Sequence, residues 1–220
     1  MAEKPILGYW GIKGRGHSPR TLLKHLGVDF EDKRIASPEE WGELKASLPM
    51  PFPNLPYYID GDVKHSETMA IMRSICRKYK PEYLGRDLAE QAKVDALTNS
   101  LNDAFFAKVF GPCIFSQDWA ANKAASGEAD AKALLETIVS IKGSNKFLFG
   151  NEPTYGDFII AGVCVVTQLW DASIVEAMPA IQEYIGTFLA LENVAAYNEE
   201  DAATPLLPQI AGWMKDNFPA

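Results

Sequence analysis

The spacing of apolar residues along the chain changes character near residue 85. Ahead of it, short apolar or alternating runs interleave with segments whose apolar residues recur every three or four positions, the pattern of strands mixed with amphipathic helices. Residues 5–10 form an apolar run closed by Gly11, which predicts a buried strand. Ser18-Pro19 predicts a helix start, with Ser as N-cap and Pro where a missing N–H costs nothing. Leu22, Leu23 and Leu26 would line that helix, and Gly27 would end it. Residues 28–35 alternate apolar and charged positions, as a half-buried strand does. Ser37-Pro38-Glu39-Glu40 is a capping box that predicts a helix to residue 47. Residues 57–60 and 63–65 flank Asp60-Gly61-Asp62, a hairpin turn. Met69, Met72, Ile75 and Cys76 predict a helix over 67–78, stopped by Lys80-Pro81.

Beyond residue 85 the helical period takes over. Asp87, with Glu90 three residues on, caps a long helix whose stripe is Val94, Leu97, Leu101, Phe105 and Val109 and whose end is Gly111-Pro112. Further helices are predicted over 120–141, 155–170 and 179–191. Thr154-x-x-Asp157 is a capping box ahead of the most apolar of them, which predicts a buried central helix. Residues 1–82 thus read as an α/β domain whose β-α-β-α-β-β-α order resembles the thioredoxin-like fold. Residues 83–89 read as a linker, and 90–220 as an all-α domain.

Composition narrows the class. The chain has 220 residues, 47% hydrophobic and 23% charged, enough for a large domain or two modest ones and too apolar for disorder. A net charge of −8 without a basic run argues against a nucleic-acid binder. The longest apolar run, residues 158–166, is half a membrane span, and residues 5–10 are too short for a secretory h-region. Cys76, Cys113 and Cys164 lie far apart and are odd in number, so neither a disulfide framework nor a metal site is expected. They read as buried reduced thiols in a cytoplasmic protein.

Three places carry candidate chemistry. The loop Gly11-Ile12-Lys13-Gly14-Arg15-Gly16-His17-Ser18 joins the first strand to the first helix, a setting where phosphates bind. Its spacing nears a phosphate-binding loop, but His17 stands where the lysine is needed, and the glycines are out of order for a dinucleotide fingerprint. A flexible turn beside a cleft is the plainer reading. In Phe52-Pro53-Asn54-Leu55-Pro56-Tyr57, Pro56 opens a strand where either a cis bond or a rigid trans turn is at home. His65-Ser66-Glu67-Thr68 precedes a helix, whose free N–H groups suit a carboxylate or simply a cap. His17, His25 and His65 show no partner pattern.

Together these segments resemble the cytosolic glutathione transferases, the mu class most closely. The resembling stretches are Ile6-Leu7-Gly8-Tyr9-Trp10, Phe52-Pro53-Asn54-Leu55-Pro56-Tyr57 with Ile59-Asp60-Gly61, and Ala70-Ile71-Met72-Arg73. Asp95, Asp103, Thr154-Tyr155-Gly156-Asp157-Phe158 and the tail near Trp213 extend the similarity nearly end to end. The resemblance implies a two-domain transferase that conjugates glutathione, its co-substrate, to small apolar electrophiles. It implies that the Tyr9 hydroxyl donates a hydrogen bond to the glutathione sulfur. Trp10, Trp41, Lys45, Asn54 and Leu55 fall at positions lining the glutathione site, and Pro56 at the cis-proline. Glu67 and Thr68 stand where the family usually has Gln-Ser, at the γ-glutamyl end. Asp103 matches an acid that reaches the ligand's ammonium across a homodimer interface. Isomerase or peroxidase use of the same thiolate, and a non-catalytic role of the fold, are the alternatives.

The chain departs from mu enzymes in three respects. The segment 33–38 is shorter and lacks an arginine just before Trp41. Arg15 replaces an apolar residue beside the sulfur, and so joins the candidate site. Near Gly111-Pro112-Cys113 no second tyrosine matches the one some mu enzymes place over the electrophile.

Overall fold

The computed structural model describes residues 3–111 and 127–205. Its described residues fall into two units, 3–80 with 192–205 and those within 81–191. The first is built on a sheet of order β2-β1-β3-β4. Strand β1 (Ile6–Trp10) runs parallel to β2 (Glu31–Ile35) and antiparallel to β3 (Tyr57–Asp60), which forms a hairpin with β4 (Val63–Ser66). Helices α1 (His17–His25) and α3 (Thr68–Tyr79) pack together, and α2 (Pro38–Ser47) follows β2. This is the thioredoxin-like order expected from the hydrophobic pattern.

Close approach in the sheet depends on Gly8. It lies opposite Tyr57, and a Cβ there would fall 2.0 Å from the Tyr57 ring, so no side chain fits. Leu7, Leu22, Leu23, Ile71, Met72 and Ile75 are fully buried in this unit. A smaller core of Ile35, Met50 and Tyr57 collects Trp10, Trp41, Leu44, Leu48 and Leu55. Helix α2 has no fully buried residue, and Ser37 caps it by accepting the Glu40 N–H at 3.2 Å.

Two local expectations shift. The second strand starts at Glu31 rather than residue 28, because the turn closing α1 takes the Val28 N–H to the Leu23 carbonyl. Helix α1 is not capped by Ser18: a 3-10 turn at Gly14–Gly16 leads directly into it at His17. Glycines 14 and 16 let the backbone coil against Tyr9 two residues early, leaving Pro19 harmlessly in the first turn.

In the second unit, α4 (Leu88–Ala104) is capped by Asp87, which accepts the Glu90 N–H at 2.9 Å, and runs on as a π-helical turn, Phe105–Phe110. The turn keeps Phe105 and Val109 buried with Val94 and Leu101, so the expected stripe holds. Helices α5 (Glu128–Lys142), α6 (Tyr155–Trp170), α7 (Ala172–Glu176) and α8 (Pro179–Leu189) complete its described part. The expected central helix is α6: Tyr155, Phe158, Ile160, Ala161 and Cys164 are at most 1% exposed. Its capping box is present, and Asp157 does more than cap. It accepts N–H groups from Leu148 and Thr154, each at 2.8 Å, and hydroxyls from Thr154 at 3.1 Å and Tyr184 at 2.9 Å. Pro112, Cys113, the helix start at 120 and the tail to Trp213 lie outside the described residues.

Helix α9 (Val194–Glu200), unexpected from the pattern, packs on α1 and belongs to the first unit. Val194 and Tyr197 are buried, Lys24 binds Glu200 at 3.1 Å, and a His25 ring nitrogen meets the Glu192 carbonyl at 2.8 Å. Burial pushes the Cys76 and Cys164 thiols up to about 12, so both stay protonated and inert. Among the described residues no helix is long and apolar enough to cross a membrane.

Candidate active site

Tyr9 stands near the end of β1, and the loop after it folds back over its ring. The backbone passes so near that a Cβ on Gly14 would fall 2.9 Å from the Tyr9 hydroxyl, and one on Gly16 2.6 Å from the ring. Arg20, fully buried on α1, places its guanidinium 5.9 Å from the ring centroid. The same guanidinium donates to the carbonyls of Ile12 at 2.7 Å and Trp10 at 3.2 Å, and to Asp32 at 2.8 Å. Loop and tyrosine are thus fixed by one buried cation.

Burial of Tyr9 pushes its phenol above the ordinary tyrosine value. The Arg15 backbone N–H and the charges of Arg15 and Arg20 pull the other way without cancelling the effect. The phenol therefore stays protonated at neutral pH. A protonated phenol keeps its O–H and can donate it.

Trp10, Trp41 and Lys45 come together. The two indoles meet edge to face at 6.5 Å, and Lys45 Nζ lies 5.9 Å from the Trp41 centroid, at the i, i+4 spacing of α2. Leu55 joins the same small core as both tryptophans. The Leu55–Pro56 peptide is cis, resolving the two readings of Pro56. Pairing of β1 with β3 ends at Gly8 opposite Tyr57, so Leu55 lies beyond the ladder, with the exposed Asn54 before it.

Glu67 and Thr68 stand at the start of α3. Glu67 is the N-cap, makes no side-chain cap bond and has φ +78°, a region non-glycine residues rarely occupy. Such strain costs on the order of 1–3 kcal/mol and collects at ligand sites. Ser66 ties this corner to the proline-rich loop by donating to the Phe52 carbonyl at 2.8 Å. Asp103 is exposed on α4, in the second unit.

The histidines, which show no partner pattern in the sequence, find partners in the fold. His65 reaches Ser74 at 2.8 Å, and His17 stacks on Tyr197 with Nδ1 3.7 Å from Asp201. Sequence reasoning also missed Arg20, Asp32, Arg34 and Asp201. One signal was available: Arg20 falls three residues from Leu23, on the buried face of α1.

A thioredoxin-like sheet with a cis-proline before β3 and a tyrosine near the end of β1, followed by a helical unit, is the architecture that the resemblance to the glutathione transferases implied. The sequence says the same. Residues 5–77 match the family described as glutathione S-transferase, N-terminal domain, and residues 122–201 the corresponding C-terminal domain. The chain is 32% identical over 198 residues to glutathione S-transferase 2 of Gallus gallus, covering 87% of this chain and 88% of that one. To glutathione S-transferase Mu 2 of Homo sapiens it is 30% identical over 216 residues, covering 94% and 97%. In structure it resembles monomeric Na-GST-3, a glutathione S-transferase of Necator americanus, with TM-score 0.80, 20% identity and coverage of 90% and 97%. The chain belongs to the glutathione S-transferase family, and it is a transferase.

Proposed function

We propose that this transferase joins glutathione to small apolar electrophiles through a thiolate that Tyr9 stabilises by donating a hydrogen bond. The observation that carries the reading is the setting of Tyr9: its hydroxyl and ring lie against the Gly14 and Gly16 backbone, the buried Arg20 guanidinium is 5.9 Å from the ring centroid, and burial keeps the phenol protonated, with a proton to give. A free thiol of this kind has a pKa near ~8.5, only a few per cent ionised at pH 7. A hydrogen bond to a charged acceptor is worth roughly 1.5–3 kcal/mol, which lowers the pKa by about one to two units. Arg15, beside the phenol, adds positive charge on the same side. Nucleophilicity falls somewhat with pKa, so the rate gain is smaller than the gain in thiolate.

The rest of the site suits the tripeptide. Lys45 and the Trp41 indole N–H would receive the glycyl carboxylate. The backbone of Leu55, outside the ladder, would pair with the extended peptide. The first N–H groups of α3 at Thr68 would hold the γ-glutamyl carboxylate, with Glu67, and Asp103 of the partner subunit reaching across the homodimer interface, at its ammonium. Trp10 and Asn54 complete the wall. In this reading residues 1–82 bind glutathione, 83–89 link, and 90–220 bear the electrophile site. The enzyme is cytoplasmic and uses no metal. It works as a homodimer, which would cover Phe52, now 85% exposed.

Tyr9→Phe tests the reading. Ultraviolet titration of the bound thiolate should place its pKa about one to two units higher than in the wild type. The rate of conjugation to an aryl halide at neutral pH should drop at least tenfold, with glutathione affinity within about twofold. An unchanged thiol pKa would refute the role given to Tyr9.

A further inference from the structure

The loop over Tyr9 is held from both ends. Arg20 grips its start through the Trp10 and Ile12 carbonyls, and the Gly11 N–H donates to the Ile35 carbonyl at 3.1 Å. Its next residue is held from far along the chain: the Lys13 N–H donates to the Pro205 carbonyl at 3.0 Å. Gly14, at φ +34° and packed against the Tyr9 hydroxyl, follows immediately.

Pro205 is itself anchored by Asp201. The Asp201 carboxylate, 4% exposed, accepts from Arg34 Nη2 at 2.8 Å and from the Thr204 hydroxyl. Arg34 also donates through Nη1 to that hydroxyl at 2.6 Å, and through Nε to Asp32 at 2.7 Å. Asp32 returns to Arg20. The charges alternate, Arg20–Asp32–Arg34–Asp201, and the chain of contacts closes on the loop at Ile12 and Lys13. His17 Nδ1, 3.7 Å away, faces the other oxygen of Asp201.

We propose that Asp201 is a positioning residue for thiol activation: by fixing Thr204-Pro205 at the Lys13 N–H it keeps the Gly14–Gly16 turn packed on the Tyr9 hydroxyl and ring. It touches neither substrate nor reacting atoms and acts through Tyr9. A phenol whose covering turn loosens, so that it tilts by a fraction of an ångström, donates less well to the sulfur. The inference rests on Tyr9 being the thiolate's donor.

The test uses the full chain, with glutathione and an aryl halide as probes. Asp201→Asn keeps the shape and weakens the ionic hold on Arg34, and Thr204→Val removes the hydroxyl link while preserving volume. Each should raise the pKa of the bound thiol by about half to one unit, a three- to tenfold loss of thiolate at neutral pH. Glutathione affinity should hold within twofold, and turnover should recover as pH rises. In a Tyr9→Phe background the Asp201→Asn shift should vanish. A thiol pKa unmoved in both variants, or lower melting temperature with an unchanged pH profile, would make the network structural only and overturn the proposal. So would an equal shift with and without the tyrosine. If Tyr9→Phe alone leaves the pKa in place, the donor reading fails first. If Tyr9→Phe moves it and Asp201→Asn does not, only the positioning role is lost.

Discussion

Asp157→Ala should cost about 4 kcal/mol of stability and lower the melting temperature by roughly 10 °C. The carboxylate is fully buried and satisfies four donors from three separate places in the second unit: the loop at Leu148, the helix start at Thr154, and Tyr184 on α8. Truncation strands two buried backbone N–H groups and leaves the Tyr184 hydroxyl seeking a partner. Each buried donor left unsatisfied costs on the order of 1–3 kcal/mol. That sum is a large part of the 5–15 kcal/mol available to a typical protein. Burial pushes the Asp157 carboxyl above its ordinary value while the donors at Thr154 and Leu148 hold it down. Asp157→Asn keeps one oxygen acceptor and should lose about half as much. Thermal unfolding by circular dichroism measures both, and a change below about 1 kcal/mol for the alanine variant would mean the cap is dispensable.

Arg20→Ala should be nearly as damaging to stability, by about 3 kcal/mol, and more damaging to catalysis. Its guanidinium is completely buried, bonds Asp32 and two loop carbonyls, and lies against the Tyr9 ring. Removing it leaves Asp32 to Arg34 alone and frees the loop that covers the phenol. Arg20→Lys retains the charge but lacks the planar fork that reaches three acceptors at once, and so should recover stability only in part. Conjugation at neutral pH should fall more than tenfold in Arg20→Ala while glutathione still binds, because the contacts proposed for it at Trp41, Lys45 and Thr68 do not depend on that loop. Wild-type turnover in a folded Arg20→Ala protein would show that Tyr9 needs no such support.

Ionisation of Asp201 sets the acid behaviour of the same network. Burial alone would raise its carboxyl, but His17, Thr204 and Arg34 together outweigh that and hold it well below the ordinary aspartate value. A group depressed in this way contributes stability above its unfolded pKa, near ~3.9, and loses it as pH falls toward the folded value. Between about pH 4 and pH 2 the wild type should therefore lose more stability than Asp201→Asn, by acid titration of fluorescence.

Much of this was legible from residue order alone. The alternating runs and the helical stripes depend on neighbours within four positions, so the sheet, α3 and α6 followed from pattern, as did the caps at Ser37, Asp87 and Thr154. The pattern marked the strand ends and the helix start beside Tyr9, Leu55-Pro56 and Thr68, but only the resemblance to glutathione transferases singled those residues out. Helix α9 was not, since its seven residues bury only Val194 and Tyr197 and carry almost no periodic signal.

What local order could not determine was how Tyr9 is held. Arg20 and Asp32 are 12 residues apart, and Arg34 and Asp201 are 167. A buried ion pair reads in sequence as two ordinary charges, because its meaning lies in the desolvation that only the packed chain imposes. The strand order placed a phenol at the end of β1. Tertiary contacts from α1, β2 and residues 201–205 decided how the loop packed against it is held.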